Sequence, residues 1–455
     1  MNCFSGSPPS GLLNSELLQY LRGNDDHAEH HITLLQQAET CLNDPSVEAA
    51  DRMDVAGRIE RWRYQTLNEW RDEPVPGQEQ LIDSLDRWTC WLRQIDRETP
   101  RSLRHHLTSA SSDDDTWQAA IDGRMAMPEL CEAAQQKTHR LFSVSVSDQP
   151  NATKRRMLLY APLYVSSHCV NHCVYCGFKY DMDIQRTHLD IDDVMVQADI
   201  LLDNGFQHQL LVAGDFPRLT TTSYFCDLIQ CMRDRGLEIS IEIASQSSDS
   251  YQAMADAGAT GLTLYQETYD PEVYRLVHPR GPKQSYDWRL EAPERAAETG
   301  FSRIGIGVLL GLADPVSDVQ MMIRHAKYLK HQFPHLRLAL SLPRLHQTPD
   351  GYQVKHPIDD EQLIRFYAAC RLAIPDVELV LSTREPAALR DRLAKICITQ
   401  MSAGSSTTPG GYQSDGCKQD DADPDGQFPV TDQRSVHQVR DWLCKENFDV
   451  RWRFA

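Results

Sequence analysis

The 455-residue chain lacks any excess of positive charge: 65 Asp and Glu stand against 46 Lys and Arg, a formal net charge of −19. Recognition of a phosphate backbone needs clustered Lys and Arg, so this balance argues against a nucleic-acid partner. Charge of this size serves solubility and points to no partner by itself. Long hydrophobic runs are missing too, with nothing near the ~18 apolar residues that a membrane-spanning helix requires. The stretch MNCFSGSPPSGLLNSELLQYL lacks the basic start and apolar block of a secretory signal, which predicts a cytoplasmic location. Nor is there a disulfide framework. The 13 cysteines are odd in number and scattered, with three crowded at one place. That usage fits reduced thiols and a metallocluster in a reducing compartment. The rest is ordinary soluble globular composition, 41% hydrophobic and 24% charged. The length exceeds one average domain and suggests a large barrel with an additional region.

The crowded cysteines lie in Cys-Val-Asn-His-Cys-Val-Tyr-Cys, Cys169 to Cys176. Three thiolates at this CxxxCxxC spacing can wrap one face of a cubane and hold three irons, leaving the fourth open for chemistry. Zinc is the competing metal, but a structural zinc site wants four closed ligands. His168 and His172 lie too close in sequence to fold back easily as the fourth. The spacing and ligand number favour the cluster over zinc, and over a chance grouping of surface cysteines.

Residues 1–147 read as helical, with apolar positions at helical spacing in Leu17, Leu18 and Leu21 and again in Leu81, Leu85, Trp88 and Leu92. Breaks at Pro74 to Gly77 and Ser109 to Asp115 divide this region into about four segments. It shows no chemistry. His27, His30 and His31 read as solvated helix residues rather than metal ligands, and Trp62, Trp70, Trp88 and Trp91 as packing.

From residue 157 short β-rich runs alternate with helical patterns, the mark of βα units on a parallel sheet. The runs are 157–165, 207–213, 238–244, 261–266, 303–310, 337–342, 377–382 and 395–400. Helices are expected at 191–204, 220–235, 248–257, 288–299, 316–332, 359–373 and 386–394, each long enough for a crossover. The fold class is therefore α/β, a (βα)8 TIM-type barrel over residues 148–412 with an N-terminal helical extension and a C-terminal tail over 413–455. A six-strand partial barrel with the last two runs in an appendage is the alternative.

Barrel active sites are built where the strands end. Here the strand ends carry the cysteine loop, Gly214-Asp215, Glu242 followed by Ser245-Gln246, Gln266-Glu267-Thr268, Gly311, Pro343-Arg344, Thr383-Arg384-Glu385, and Ser402 to Ser405. One mouth would gather them all.

CxxxCxxC with Tyr175 before the last cysteine and Gly177-Phe178 after it resembles the cluster loop of the radical S-adenosylmethionine enzymes. That resemblance implies a [4Fe–4S] cluster and S-adenosylmethionine as cofactors. Longer blocks resemble one branch, the aromatic amino acid lyases. These blocks are LVAGD at 211–215, YQETY at 265–269, HPRGPK at 278–283, WRL at 288–290, GIGVLLG at 305–311, PRL at 343–345, LSTRE at 381–385 and SAGSSTTPGG at 402–411. The order and the C-terminal ending are most similar to the tyrosine lyases of thiamin synthesis, the 2-iminoacetate synthases. The likeness covers roughly residues 120–455.

The resemblance implies abstraction of a hydrogen atom from the substrate amino group and Cα–Cβ cleavage, giving 2-iminoacetate and p-cresol from tyrosine. A sister activity on tryptophan and a non-catalytic cluster-binding role are the alternatives. It also implies an electron donor such as flavodoxin or ferredoxin, and a thiazole synthase as partner. Gly214 and Asp215 stand where the family holds the cofactor's amino group, Asp215 being one methylene shorter than the usual Glu. Tyr175, Glu242, Gln266 and Glu267 are further cofactor-side candidates. A substrate carboxylate is best gripped by a guanidinium. This makes Arg384, with Ser402, the expected anchor and Arg344 the reserve, unless either arginine closes a salt bridge with Glu385 or another carboxylate. His278, Lys283 and Arg289 are weaker candidates, placed on a loop over the mouth. Hydrogenase-maturation lyases resemble the chain through the barrel but add a second cysteine triad. After the eighth run only Cys417 and Cys444 remain, Cys417 within an acidic stretch, 413–427, that reads as a mobile loop; a single cluster is predicted.

Overall fold

The computed structural model describes residues 13–44, 46–68, 77–94, 103, 107, 115–146, 149–346, 348, 351–413, 416–417 and 425–454. Helices come first: α1 (Ser15–Asn24), α2 (Ala28–Asn43), α3 (Ala49–Asn68), α4 (Gln78–Gln94), α5 (Asp115–Ile121) and α6 (Met127–Phe142). Most of the predicted breaks at Ser109 to Asp115 and at Pro74 to Gly77 lies outside the described residues, as does Trp70. Helices α1 to α4 close on their own apolar core, which holds Leu17, Leu21, Leu85, Trp62, Trp88 and Trp91. Helices α5 and α6 instead pack on the barrel through Trp117, Leu130 and Ala134.

Strand β1 (Ser143–Val146) pairs antiparallel with the start of the long strand β2 (Gln149–Ser166). The chain then alternates: α7 (Ile191–Asp203), β3 (His208–Ala213), α8 (Thr222–Asp234), β4 (Glu238–Glu242), α9 (Ser248–Ala257), β5 (Ala259–Thr263), α10 (Pro271–Val277), a 3-10 turn at Pro282–Gln284, α11 (Tyr286–Leu290), α12 (Ala292–Glu298), β6 (Arg303–Gly307), α13 (Pro315–Gln332), β7 (Arg337–Ser341), α14 (Asp360–Ala373), β8 (Glu378–Leu381), α15 (Ala387–Ile396) and β9 (Gln400–Ser402). Strands β2 to β9 pair in sequence order, all parallel, and β9 closes on β2 with Leu158 opposite Gln400 and Tyr160 opposite Ser402. The barrel is complete, which removes the six-strand alternative. A hairpin of β10 (Tyr412–Gln413) and β11 (Gly416–Cys417) follows, then α16 (Val436–Lys445) and β12 (Phe448–Arg451), which pairs parallel with Arg155 to Leu158 of β2.

Local chemistry explains the alternation. Side chains of Asp190, Thr221, Ser247, Asp314 and Asp359 each accept a backbone N–H at the first turn of a barrel helix, so a polar residue ahead of these five helices both ends the loop and starts the helix. The strands between are Val-, Leu- and Ile-rich and buried on both faces, as a parallel sheet under helices must be.

Three sequence expectations shift. The eighth run, 395–400, begins inside α15, which continues to Ile396; the strand is Gln400–Ser402. Apolar Leu393 and Ile396 pack as one helix face there, overriding the β-like run. The helix expected at 288–299 is split at Glu291, because Pro293 in the first turn of α12 lacks the N–H that would continue α11. His31 is not solvated: its ring stacks on Trp62 at 3.9 Å and hydrogen-bonds Asp25 at 2.6 Å, while His27 and His30 stay exposed. No helix among the described residues is long and apolar enough to cross a membrane.

Candidate cluster and cofactor chamber

The cysteine loop leaves β2 at Ser166 and is held against the end of β3. Val170 N–H donates to Asp215 O at 2.8 Å, and a Cβ on Gly214 would come within 2.3 Å of His168 O, so only glycine fits. Cys173 and Cys176 are buried and Cys169 half-buried. Burial pushes the Cys169 thiol up to about 11 and raises Cys173 and Cys176 as well. Bare, these sulfurs keep their protons; ligation by metal is what ionises such thiols.

Donors already point at two of the sulfurs: Asn171 Nδ2 lies 3.8 Å from Cys169 Sγ, and Gln427 Nε2 and Phe178 N–H lie 3.6 and 3.4 Å from Cys176 Sγ. Such bonds tune a ligated cluster. His168 and His172 pack on the rings of Phe216 and Tyr180. Among the described residues no group of three or more His, Cys, Asp and Glu is arranged to hold a single metal ion. Three thiols serving three irons of a cubane fit the loop; a closed four-ligand zinc does not.

A cavity with about 1300 Å³ of empty space, its open mouth included, adjoins the loop and is lined by all three cysteines together with Gly214, Asp215, Glu242 and Glu267. Asp215 accepts from Asn171 Nδ2 at 2.8 Å, while burial raises its pKa above the ordinary value. Glu267 is ion-paired with Lys283 at 2.8 Å and Arg289 at 3.4 Å. It sits at φ 70°, a left-handed conformation costly for a non-glycine residue and found mostly where function demands it. Burial, then the charge of Glu267, pushes Glu242 up to about 7. Gln266 is buried with its Nε2 unpartnered among the described residues, although it does not line this cavity. Asp215, Glu267, Lys283 and Arg289 are the kind of charge set that holds a zwitterionic amino-acid group, so the residues fit S-adenosylmethionine beside the cluster.

Tyr175 is buried, does not line the cavity, and hydrogen-bonds His278 Nε2 at 2.7 Å. His278 is fully enclosed and Arg289 stands on α11, bonded to Tyr265 O at 2.7 Å, so neither rides on an open loop over the mouth.

The two candidate anchors differ sharply. Arg344 is saturated: it meets Glu385 at 2.7 Å, Asp360 at 2.6 Å and Ile358 O at 2.9 Å. The barrel-end salt bridge named as the alternative is what it forms. Arg384 has no carboxylate partner among the described residues. Its guanidinium lies over the Phe428 ring at 4.0 Å and donates to Arg344 O at 3.3 Å. Exclusion of water lowers its pKa, partly offset by Tyr164, Glu385 and Glu267 facing it. Ser402 is buried, its Oγ accepting from Thr383 N–H at 2.9 Å.

Several residues of the site were not singled out from the sequence. Asn171 joins the loop to Asp215 and also accepts from Lys283 N–H at 2.8 Å. Tyr164 OH donates to Gln427 Oε1 at 2.8 Å. Gln427 falls in the stretch read as a mobile loop, yet its carbonyl also takes Gly177 N–H. Residues 414–415 and 418–424 of that stretch lie outside the described residues. Most unexpectedly, Glu60, Arg63, Tyr64 and Leu67 of α3 line the cavity. Their i, i+3, i+4, i+7 spacing is a helical face that the sequence does display.

Two family models match the chain: the radical SAM superfamily over residues 163–326, and the biotin and thiamin synthesis associated domain over residues 341–449. The chain is 32% identical to 2-iminoacetate synthase of Salmonella typhimurium over 369 residues, covering 80% of this chain and 93% of that protein. It is 32% identical to the Escherichia coli 2-iminoacetate synthase, covering 81% and 95%. Among solved structures, the FeFe-hydrogenase maturase HydG from Carboxydothermus hydrogenoformans superposes with a TM-score of 0.67 at 27% identity, over 90% of this chain and 86% of that one.

Proposed function

Because the chain belongs to the radical S-adenosylmethionine enzymes, and among them to the family of the 2-iminoacetate synthases, we propose that it cleaves the Cα–Cβ bond of tyrosine to 2-iminoacetate and p-cresol. It is a radical carbon–carbon lyase, and its cofactors are a [4Fe–4S] cluster and S-adenosylmethionine. When bound, that pair supplies a 5′-deoxyadenosyl radical able to remove a hydrogen atom from the substrate amino group. In this reading Cys169, Cys173 and Cys176 hold the cluster, and Gly214, Asp215, Glu242 and Glu267 receive the cofactor beside it. Tyr175 and Gln266 support that wall. The aryl fragment takes up an electron and a proton as it leaves, and 2-iminoacetate passes to thiazole synthesis through a thiazole synthase. The electron comes from a small low-potential donor such as flavodoxin or ferredoxin.

The observation that carries the substrate reading is Arg384, a half-buried guanidinium with no carboxylate partner among the described residues. An uncompensated buried charge is costly, and an incoming carboxylate relieves it through charge-assisted hydrogen bonds. Ser402 orders the backbone at Thr383, next to that guanidinium, and Arg344 stiffens the same strand ends from outside. Tyr164 and Tyr265 add to the electrostatic surroundings of Arg384, and Tyr265 also lines the cavity. The test is anaerobic turnover of the reconstituted protein with S-adenosylmethionine, dithionite and one aromatic amino acid at a time. p-Cresol from tyrosine supports the proposal; turnover of tryptophan alone, or no fragment from either, overturns it.

A further inference from the structure

Helix α3 lines the cavity along two turns, through Glu60, Arg63, Tyr64 and Leu67. At one end Glu60 accepts from Ser248 N–H at 2.7 Å, at the start of α9. At the other, Leu67 packs with Val170, next to Cys169, and with Phe216. Between them Tyr64 OH accepts from Thr222 N–H at 3.3 Å, and the Arg63 guanidinium lies 4.0 Å over the Trp288 ring while paired with Asp86 of α4. Seven residues of helix, about 10 Å at 1.5 Å each, thus run from the end of β4 to the cysteine loop. Helix α4 fixes the bar through Glu79 Oε1, which accepts from Gly281 N–H at 3.1 Å.

The cavity lining mixes two kinds of residue: an ionic set, Asp215, Glu267, Lys283 and Arg289, and an apolar and aromatic set with polar neighbours, Phe225, Pro217, Leu67 and Tyr64 with Ser245 to Ser247. Trp288 also lines it but carries the Arg63 and Arg295 guanidiniums on its ring. An amino-acid group suits the first surface, and a purine with its ribose suits the second. We propose that the Glu60–Leu67 face of α3 is a wall of the cofactor site and that Tyr64 is a binding contact for the nucleoside half of S-adenosylmethionine. The helices ahead of the barrel are then part of the active site rather than an appendage. The inference rests on the use of S-adenosylmethionine and not on tyrosine as substrate, so failure of the tyrosine assay leaves it intact.

Arg63 is a poor probe, since its removal strands the buried Asp86. Tyr64 can be removed at less structural cost. In the full-length reconstituted protein, equilibrium binding of 5′-deoxyadenosine and of L-methionine is measured separately by titration calorimetry. Tyr64→Ala is expected to weaken 5′-deoxyadenosine at least fivefold and to leave methionine within twofold. Tyr64→Phe keeps the ring and should stay within threefold for both; Tyr64→Leu keeps bulk without a flat face, should fall between, and stands in if the alanine variant does not fold. Unchanged nucleoside binding, or equal weakening of both ligands, would overturn the assignment.

Discussion

The barrel mouth and the α3–α4 hairpin that leans on it use the same residue types to different ends. On the hairpin the buried charges are matched within the chain: Arg63 with Asp86, and Arg93 with Glu298 and, at 3.6 Å, with Glu60. At the mouth, matched pairs such as Glu267–Lys283 and Arg344–Glu385 stand beside groups that are not matched. Arg384 has no carboxylate partner among the described residues, Glu242 is pushed towards its neutral form, and the three thiols are held protonated. Buried polar groups in native proteins are nearly always satisfied. The matched set holds helices to a barrel; the unmatched set marks where ligands belong.

That contrast is broken most severely at the cysteines. Cys169→Ala, Cys173→Ala or Cys176→Ala should each abolish S-adenosylmethionine cleavage, read as 5′-deoxyadenosine formed under dithionite. The same preparations of the unmutated protein should analyse for about four irons and four sulfides, one cluster's worth. A second cluster, or carbon monoxide trapped by a haem reporter during turnover, would move the chain towards the hydrogenase branch.

Next in size is Arg384→Lys. A point charge cannot reproduce a bidentate grip, and loss of such a charge-assisted bond is worth about 2 kcal/mol, or roughly thirtyfold in amino acid turnover. Uncoupled 5′-deoxyadenosine formation should persist within about twofold. Equal loss of both would place Arg384 with the cofactor or the fold.

Arg344→Ala tests the matched class. It leaves Glu385, 2% exposed, without its guanidinium, and breaking a buried pair in this way costs about 3 kcal/mol of unfolding free energy. Denaturant titration should show that loss, whereas Arg384→Lys should cost less than about 1 kcal/mol. Similar losses for the two would erase the distinction between matched and unmatched arginines.

The last effect is on pH dependence. Glu242 is raised from 4.5 to about 7 by burial and by Glu267. The folded chain therefore binds this proton more tightly than the unfolded one. The resulting stability is fully present below about pH 4.5 and is lost as pH rises through about 7, at up to ~1.4 kcal/mol per unit. Glu242→Gln should flatten that slope in thermal melts of the cluster-free protein; an unchanged slope would show that another group carries it.

The barrel and its cluster were legible because each rests on short-range pattern. Strand runs alternate with capped helices, and CxxxCxxC is eight consecutive residues. The helix ranges 191–204, 248–257 and 359–373 fall within one residue of Ile191–Asp203, Ser248–Ala257 and Asp360–Ala373. Arg384 and Arg344 looked alike because their difference lies in Asp360 and Glu385, one of which is distant in sequence. Gln427 and α3 escaped for the same reason: each reaches the cavity across more than a hundred residues. For α3, the polar Glu60, Arg63 and Tyr64 on an otherwise core-facing stripe were the available hint.

Strand β2 carries one more implication, for the order of assembly. Its first half is paired by β1 and β12 and its second by β3 and β9, so the strand that ends in the cysteine loop gathers partners from residues 143 to 451. A ribosome delivers the cysteines long before it delivers Gln400–Ser402 or Phe448–Arg451. Until those arrive, β2 has a single barrel neighbour and an open edge, and the loop at its end has no fixed base. Long-range parallel pairing of this kind forms late. This pairing order predicts that cluster insertion follows barrel closure, and that a nascent chain stalled before residue 400 presents its three thiols to solvent as ordinary reactive cysteines.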